Sequence, residues 1–192
     1  MRVIAGEAKG RNLRGPAGTF TRPMQDKIKE ALFSMLWSLG VEPDRVVDLY
    51  AGTGGIGIEA LSRGATWADF VDQNAAACKV VRENLTLTGF TDRSRVHQTA
   101  VSVFVSRPHE PYDLVILDPP YADPDIEATM GQVASSSLIQ SGTIVAIGHS
   151  PRVKLPAEIG RLSRLRERCH GDSCFSIYEA DLPADDAAED GE

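Results

Sequence analysis

Short apolar segments alternate with helical patterns through the middle of the chain, and this alternation constrains the fold most strongly. Five segments predict strands, namely "RVVDLY", "TWADFV", "RVHQT", "YDLVIL" and "GTIVAIGH". Between them, "GIGIEALSRG", "NAAACKVVRENLTLTG" and residues 125–136 predict helices, and residues 100–106 predict a short helical or irregular piece. Strands that alternate with helices are typical of a mostly parallel sheet covered on both faces. The sequence therefore predicts an α/β fold.

Further elements are predicted on both sides of this alternating region. Before it, Pro23 and Gly40 stand where a helix is expected to start and end. Between them apolar side chains recur at helical spacing, at Ile28, Leu32, Met35, Leu36 and Leu39. After the region, "RLRERCH" and "CFSIYEAD" predict an antiparallel pair of strands, and "RVIA" near the N-terminus predicts a short extra strand.

The distribution of charge is more informative than the net charge of −7. The last twelve residues contain six acids and no base, whereas residues 1–22 and 152–168 each carry four excess positive charges. We expect a basic arm over residues 1–22, a single domain over 23–181 and an acidic, disordered tail over 182–192. The two basic segments are candidates for one positive face that binds a polyanion. The alternative is that they are ordinary solvated surface.

Cysteine content and hydropathy restrict the cellular compartment in which the protein is expected. Cys78, Cys169 and Cys174 make an odd count without a paired framework, which predicts free thiols in a reducing cytoplasm. Cys169, His170 and Cys174 lack the paired spacing of a zinc site, so we expect no metal. The longest apolar run is too short to span a bilayer, and the N-terminal residues lack the apolar core of a secretory signal. We expect no membrane partner and a monomer.

A glycine-rich loop follows the first strand of the alternating region. In "VVDLYAGTGGIGIEA", Gly52, Gly54 and Gly57 match the G-x-G-x-x-G pattern between a strand and a helix. No Lys-Ser or Lys-Thr follows, which excludes a Walker phosphate loop but still admits a dinucleotide. Glycines at these places let the backbone approach a nucleoside closely.

Two carboxylates at strand ends narrow the choice of ligand. Asp48 lies four residues before Gly52, where a carboxylate would repel the pyrophosphate of a dinucleotide. It would attract the ammonium group of S-adenosylmethionine (SAM), a nucleoside without phosphate. Asp72 lies 24 residues after Asp48, near the distance at which an acid commonly accepts the ribose hydroxyls. The alternative for either carboxylate is helix N-capping.

The segment "YDLVILDPPYAD" ends a predicted strand on Asp118, Pro119, Pro120 and Tyr121. Prolines donate no ladder hydrogen bond and stiffen the chain, and ligands bind at the carboxyl ends of strands in open α/β sheets. The Asp118 side chain and the Pro119 carbonyl are rigidly placed acceptors for the N–H groups of an exocyclic amine, which would make its nitrogen a better nucleophile for methyl transfer. Tyr121 could stack on a flipped nucleobase. The alternative is an Asx-Pro turn with the ring packed in the core.

The glycine loop together with "VILDPPY" resembles the class I SAM-dependent methyltransferases that methylate amino groups. The N-terminal "RVIAGEAKGRNLRGPAG" and "TRPMQDKIKEALFSML" are similar to the RsmD family, which methylates the exocyclic N2 amine of one guanine in 16S ribosomal RNA. The resemblance spans residues 2–179. It implies a Rossmann-like fold, with a mostly parallel seven-stranded sheet, helices on both faces and a C-terminal antiparallel hairpin. It also implies ribosomal RNA, within a small-subunit particle, as the substrate.

The resemblance implies roles for individual residues. The predicted cofactor-binding residues are Asp48, Gly52 and Gly54 for the methionine end, Asp72 and Gln73 for the ribose and adenine side, and Ala100 and Val101 for the adenine. The predicted catalytic residues are Asp118, Pro119, Pro120 and Tyr121. The residues predicted to hold RNA phosphates are Arg2, Lys9, Arg11, Arg14 and Arg22.

Two departures and three alternatives stay open. Met24 stands where the family usually has Thr, and "HGD" at residues 170–172 stands where it usually has "YGD". The same chemistry would serve amine methylation of adenine in RNA or DNA, or of a protein glutamine. A SAM-binding ribosome-assembly factor without catalysis is the second alternative. A dinucleotide-dependent oxidoreductase is the third, and Asp48 argues against it.

Overall fold

The computed structural model of the chain describes residues 1–15, 23–120 and 124–181. Its helices are α1 (Pro23–Ser38), α2 (Gly55–Ser62), α3 (Ala75–Thr88), α4 (Val101–Val105) and α5 (Ile126–Ala134). Its strands are β1 (Arg45–Leu49), β2 (Trp67–Asp72), β3 (Ser94–Gln98), β4 (Leu114–Leu117), β5 (Ile144–His149), β6 (Glu158–Ile159), β7 (Leu162–His170) and β8 (Ser173–Ala180). These elements confirm all five predicted strands of the alternating region and the helices between them.

The strands form one sheet in the order β3-β2-β1-β4-β5-β8-β7-β6. Strands β1 to β5 pair in parallel, and β8 enters antiparallel between β5 and β7. The parallel sheet and the C-terminal antiparallel hairpin are confirmed. The sheet has eight strands rather than seven, because the two-residue strand β6 pairs with the start of β7 at the edge. The predicted acidic tail at residues 182–192 lies outside the described residues.

Both faces of the sheet are covered by helices, as predicted. Alternate residues of one strand point to opposite faces, so Val46 joins a cluster with α1, α2 and α3, and Val47 joins a cluster with α4 and α5. The chain runs from β1 outward to β2 and β3, and then crosses back to β4 on the other side of β1. A cleft at the carboxyl ends of β1 and β4 follows from this reversal, and ligands bind at such points.

Residues 1–15 pack against α2 rather than extending from the domain. Val3, Ala8 and Leu13 are buried in the cluster on the α1–α3 face. The predicted strand at "RVIA" is wrong: Arg2 forms only an isolated antiparallel bridge with Asn12. The reason is that the backbone N–H groups of the next residues are taken by a side chain of α2, since Ile4 and Ala5 donate to Glu59 at 2.8 and 3.0 Å.

The prediction that all three cysteines are free is wrong. Cys169 and Cys174 form a disulfide, whereas Cys78 is free and buried. The two bonded cysteines lie directly opposite each other on β7 and β8, next to the turn of the hairpin. Their pairing depends on the strand register, which sequence spacing did not reveal.

The described part of the chain shows neither a metal-binding arrangement nor a membrane-spanning helix. Within residues 1–15, 23–120 and 124–181, no group of three His, Cys, Asp or Glu side chains is arranged to hold a metal ion. None of the helices described there has the length and apolarity needed to cross a membrane.

Candidate functional site

A cavity of about 640 Å³ opens at the carboxyl ends of β1 and β4. It is lined by the loop after β1, the loop after β2, the start of α4, the segment after β4 and one face of α5. The lining residues are Tyr50, Gly52, Asp72, Gln73, Asn74, Ala100, Val101, Ser102, Asp118, Pro120, Asp125, Ala128, Thr129 and Gln132. Seven of the predicted site residues, from four separate segments of the chain, therefore meet in one cavity.

The three glycines of the loop have different structural roles. Gly52 lies in the cavity wall with a φ of 56°, which favours glycine. Gly54, also at positive φ, faces inward, where a Cβ would stand 3.2 Å from Val81. A Cβ on Gly57 would stand 2.5 Å from the ring of Phe70. Gly54 and Gly57 therefore allow α2 to pack closely on the sheet, and only Gly52 lies where a ligand could reach its backbone.

Asp48 lies beneath the loop, outside the cavity lining. Its side chain is buried, and its Oδ2 accepts a hydrogen bond from the Gly57 N–H at 2.8 Å. This bond satisfies an N–H of the first turn of α2, which supports part of the capping alternative. Burial raises the pKa of Asp48 to about 8, against the lowering effect of the Gly57 hydrogen bond. A direct contact between Asp48 and a cofactor stays a prediction.

Asp72 stands in the cavity wall and ties two backbone segments together. Its Oδ2 accepts from the Gly52 N–H at 2.9 Å, and its Oδ1 accepts from the Asn74 N–H at 2.8 Å. The N-cap of α3 is Asn74, whose side chain accepts from the N–H groups of Ala76 and Ala77. Asp72 is therefore not the capping residue, and a carboxylate keeps further lone pairs for the hydroxyls of a ligand.

Asp118 lies immediately after β4, where its N–H reaches the Leu49 carbonyl at 3.4 Å. Its side chain is exposed in the wall of this cavity, and the protein atoms crowded around the carboxyl group raise the pKa of Asp118 to about 6. Pro119 is buried and Pro120 is exposed in the wall of the larger cavity. Tyr121 lies outside the described residues, so its stacking role stays a prediction.

A second, smaller cavity of about 120 Å³ lies on the other side of Asp118. It is lined by Met1, Ile28, Lys29, Ile56, Asp118, Gly148, His149, Ser173, Cys174 and Phe175. Asp118 is the one residue that lines both cavities among those described. The carboxylate singled out by the sequence therefore separates a large cavity from a small one, as a group acting between two reactants should.

Sequence reasoning missed several residues of the site. Tyr50 lines the cavity with a φ of 63°, a conformation that costs a non-glycine residue about 1–3 kcal/mol and is often found at functional sites. Nothing in its sequence context signals this strain. On α5 a signal existed, because Ala128, Thr129 and Gln132 follow Asp125 at helical spacing and form one small or polar face.

The basic residues of the N-terminal segment are exposed but differently engaged. Arg2 lies 3.9 Å from Asp26, and Arg14 pairs with Glu83 at 2.7 Å. Arg11 donates to the Leu87 carbonyl at the end of α3 at 2.6 Å, where a cation is favourable. Lys9 is exposed, and Arg22 lies outside the described residues. Helix α1 contacts both basic segments, since Arg2 lies near Asp26 and Arg166 of β7 donates to Ser38 at 2.9 Å.

Comparison with known proteins gives a consistent family. The family described as "Conserved hypothetical protein 95" matches residues 1–179. The "Putative rRNA methyltransferase YlbH" of Bacillus subtilis is 34% identical over 93% of this chain and 98% of that protein. The "Ribosomal RNA small subunit methyltransferase D" of Escherichia coli K12 is 26% identical over 98% of this chain and 94% of that protein.

Solved structures agree with this assignment. The "Putative methyltransferase yhhF" of Escherichia coli superposes with a TM-score of 0.81 at 26% identity, over 95% of this chain and 99% of that chain. A hypothetical protein of Thermus thermophilus superposes with a TM-score of 0.80 at 27% identity, over 94% and 99% of the two chains. The chain therefore belongs to the family described as conserved hypothetical protein 95, the RsmD family that its sequence resembles.

Proposed function

We propose that this protein transfers the methyl group of SAM to the exocyclic N2 amine of a guanine in small-subunit ribosomal RNA. Membership of the family makes it an RNA methyltransferase. The observation that carries the finer proposal is the position of Asp118 between the two cavities. One cavity has the size and polarity for a nucleoside, and the other is small enough for a single flat base.

The residues of the larger cavity fit SAM. Asp72 offers carboxylate oxygens to the ribose hydroxyls, and Ala100 and Val101 offer an apolar surface to the adenine. Asp118, which is ionised above about pH 6, places negative charge on the side where a cationic ligand would be attracted. SAM supplies an activated methyl group on a sulfonium, and its reaction with an amine forms a C–N bond as the C–S bond breaks.

The chain's own residues prepare the acceptor amine. The Asp118 carboxylate and the Pro119 carbonyl accept its two N–H groups, which holds the nitrogen lone pair toward the methyl group. The amine loses one proton after the transfer, and Asp118 is the base within reach. A pKa of about 6 suits this role, since the group is ionised at neutral pH and still able to take a proton.

We further propose that the substrate is a small-subunit particle and that the protein acts as a monomer. The basic N-terminal segment is small, so the folded shape of the particle would supply much of the recognition. Such a substrate implies the cytoplasm, where ribosomes are assembled. The cysteines do not indicate a reducing compartment, because Cys169 and Cys174 form a disulfide.

The test is methyl transfer from labelled SAM to small subunits that lack their native modifications, followed by nucleoside chromatography. We expect label in N2-methylguanosine with the wild type, none with Asp118→Asn, and full labelling with Asp92→Asn, an exposed carboxylate outside both cavities. Label in methyladenosine would replace guanine by adenine as the substrate. SAM binding without transfer to any RNA would favour a non-catalytic assembly factor.

A further inference from the structure

The smaller cavity is lined partly by apolar and partly by polar side chains, and this combination suits one class of nucleobase. Ile28, Ile56 and Phe175 supply apolar surface for the faces of a planar ring. The polar side chains of the lining belong to Asp118, which accepts hydrogen bonds, to Lys29, which only donates them, and to His149 and Ser173. The cavity is thus equipped for a base with N–H donors on one part of its edge and an acceptor on another.

Lys29 is an unusual residue to find in such a wall. Its side chain is 3% exposed, and its Nζ lies 3.2 Å from Glu59 Oε2. Nζ also donates to the Arg2 carbonyl at 2.6 Å. An ammonium has three N–H groups, and within the part of the chain that the structure describes these two acceptors take two of them. One N–H is left for a ligand, and a buried donor without a partner is costly.

We infer that Lys29 makes the acceptor cavity selective for a 6-oxo purine, by donating its third N–H to the O6 of the guanine. The inference rests on the proposed function, since it concerns the base that Asp118 presents to the methyl donor. A purine with an amine at position 6 would direct N–H groups at the ammonium and leave Lys29 without an acceptor. Rejection of this kind, through an unpaired buried polar group, gives strong discrimination.

The buried environment of Lys29 supports this assignment. Glu59 is itself fully buried and holds Lys29, Arg63 and the N–H groups of Ile4 and Ala5. The Lys29 ammonium is therefore fixed in position by neighbours that do not depend on the ligand. Glu59 also keeps three hydrogen-bonding partners when Lys29 is removed, so a Lys29 variant does not leave this carboxylate without partners.

The experiment compares two acceptor bases at the target position mapped by the labelling test above. Small-subunit RNA carrying either guanine or 2,6-diaminopurine there is reconstituted into particles and methylated. The two bases differ in the group at position 6 and in the proton on N1, and the Lys29 variant separates the contribution of position 6. We expect wild-type kcat/KM to favour guanine by at least about tenfold, as for a hydrogen bond to a charged donor. In Lys29→Met the guanine rate should fall, the diaminopurine rate should stay, and the ratio should approach one.

Lys27→Met is the matched control, because Lys27 lies two residues away on the exposed face of α1. It should keep the wild-type ratio. Equal loss with both bases in Lys29→Met would mean a structural role only and would overturn the inference. If that variant does not fold, equal wild-type rates on the two bases overturn it as well. A wild type that methylates neither base would sink the proposed function, and the inference with it.

Discussion

The carboxyl group of Asp118 lies against the bare backbone of Gly148, so closely that a Cβ there would stand 2.5 Å from Asp118 Oδ1. The parallel register of β4 and β5 places the two residues side by side, since Leu117 is opposite Ile147. The absence of a side chain on β5 therefore gives Asp118 its place between the two cavities.

Gly148→Ala should displace Asp118 and reduce methyl transfer without abolishing SAM binding. A shift of about 1 Å in a catalytic group costs on the order of a hundredfold in rate, so we expect a loss of that size in kcat. Gly131→Ala is the control, because a Cβ at Gly131 meets nothing within 4 Å. It should leave activity unchanged and stabilise α5 by about 0.5–1 kcal/mol. Wild-type turnover in Gly148→Ala would contradict the assigned position of Asp118.

Methyl transfer should follow the ionisation of Asp118. With its pKa raised to about 6 by burial, the carboxylate that accepts the amine N–H groups is lost as pH falls through 6. We expect the single-turnover rate to be level at neutral pH and to decline about tenfold per unit well below pH 6. Asp118→Asn should be inactive at every pH, with SAM binding retained by calorimetry. A rate independent of pH between 5 and 7 would argue against a role for this carboxylate.

Asp48 should make the protein less stable as pH rises. Its folded pKa is about 8, against an ordinary value of 3.8, so the folded state binds the proton more tightly than the unfolded state. Its contribution to stability is present below about pH 4 and is lost as pH rises through 8. Asp48→Asn should therefore raise the melting temperature at pH 9 and make little difference at pH 5. Each kcal/mol that the variant adds to the free energy of unfolding corresponds to about 2–4 °C in a chain of this size.

The control for this measurement is Asp92→Asn, which removes an exposed carboxylate from the turn after α3. It should leave the melting temperature unchanged at both pH values. A parallel pH dependence of Asp48→Asn and the wild type would mean that Asp48 is ionised in the folded state.

These residues also mark the limits of what the sequence could predict. Asp72 and Asp118 line the larger cavity, and the sequence singled them out because strand ends and glycine loops have local signatures, whereas their roles stay predictions. Gly148 and Lys29 carry no such signature, since their importance arises from neighbours that are distant in sequence, Asp118 and Glu59. The disulfide was not predicted for the same reason, because only the register of β7 and β8 brings its cysteines together.

Reduction of the Cys169–Cys174 bond should loosen the hairpin beside the smaller cavity. The two residues are five apart in sequence, and closing so short a loop stabilises a fold by about 2 kcal/mol in the chain-entropy account. We expect a dithiol reductant to lower the melting temperature of the wild type by roughly 4–8 °C. The double variant Cys169→Ser, Cys174→Ser should already melt lower and should not respond to the reductant.

Cys78 is present in both proteins of that comparison, so any effect on the free thiol cancels. Thiol counting under denaturing conditions should find one free thiol in the untreated wild type and three after reduction, because the chain has three cysteines. Three free thiols before reduction would remove the bond and the stability argument with it.

The N-terminal segment should bind RNA as a rigid surface, not as a flexible arm. The buried Asn84 accepts from the Arg14 N–H at 2.7 Å and donates to the Arg14 and Thr53 carbonyls at 3.0 and 2.9 Å. It thereby joins the segment to the glycine loop. Lys9→Ala should weaken binding to small-subunit particles and reduce the slope of log K against log salt by about 0.7–0.9, the value for one lost phosphate contact.

Arg107→Ala is the matched control for this measurement, because Arg107 is exposed just after α4, on the other face of the sheet. Its removal should leave both the affinity and the salt slope unchanged. A Lys9 variant with the wild-type slope would mean that this side of the molecule does not face the RNA. In that case the basic residues of β7, which Arg166 connects to the end of α1 through Ser38, would be the better candidates for phosphate contacts.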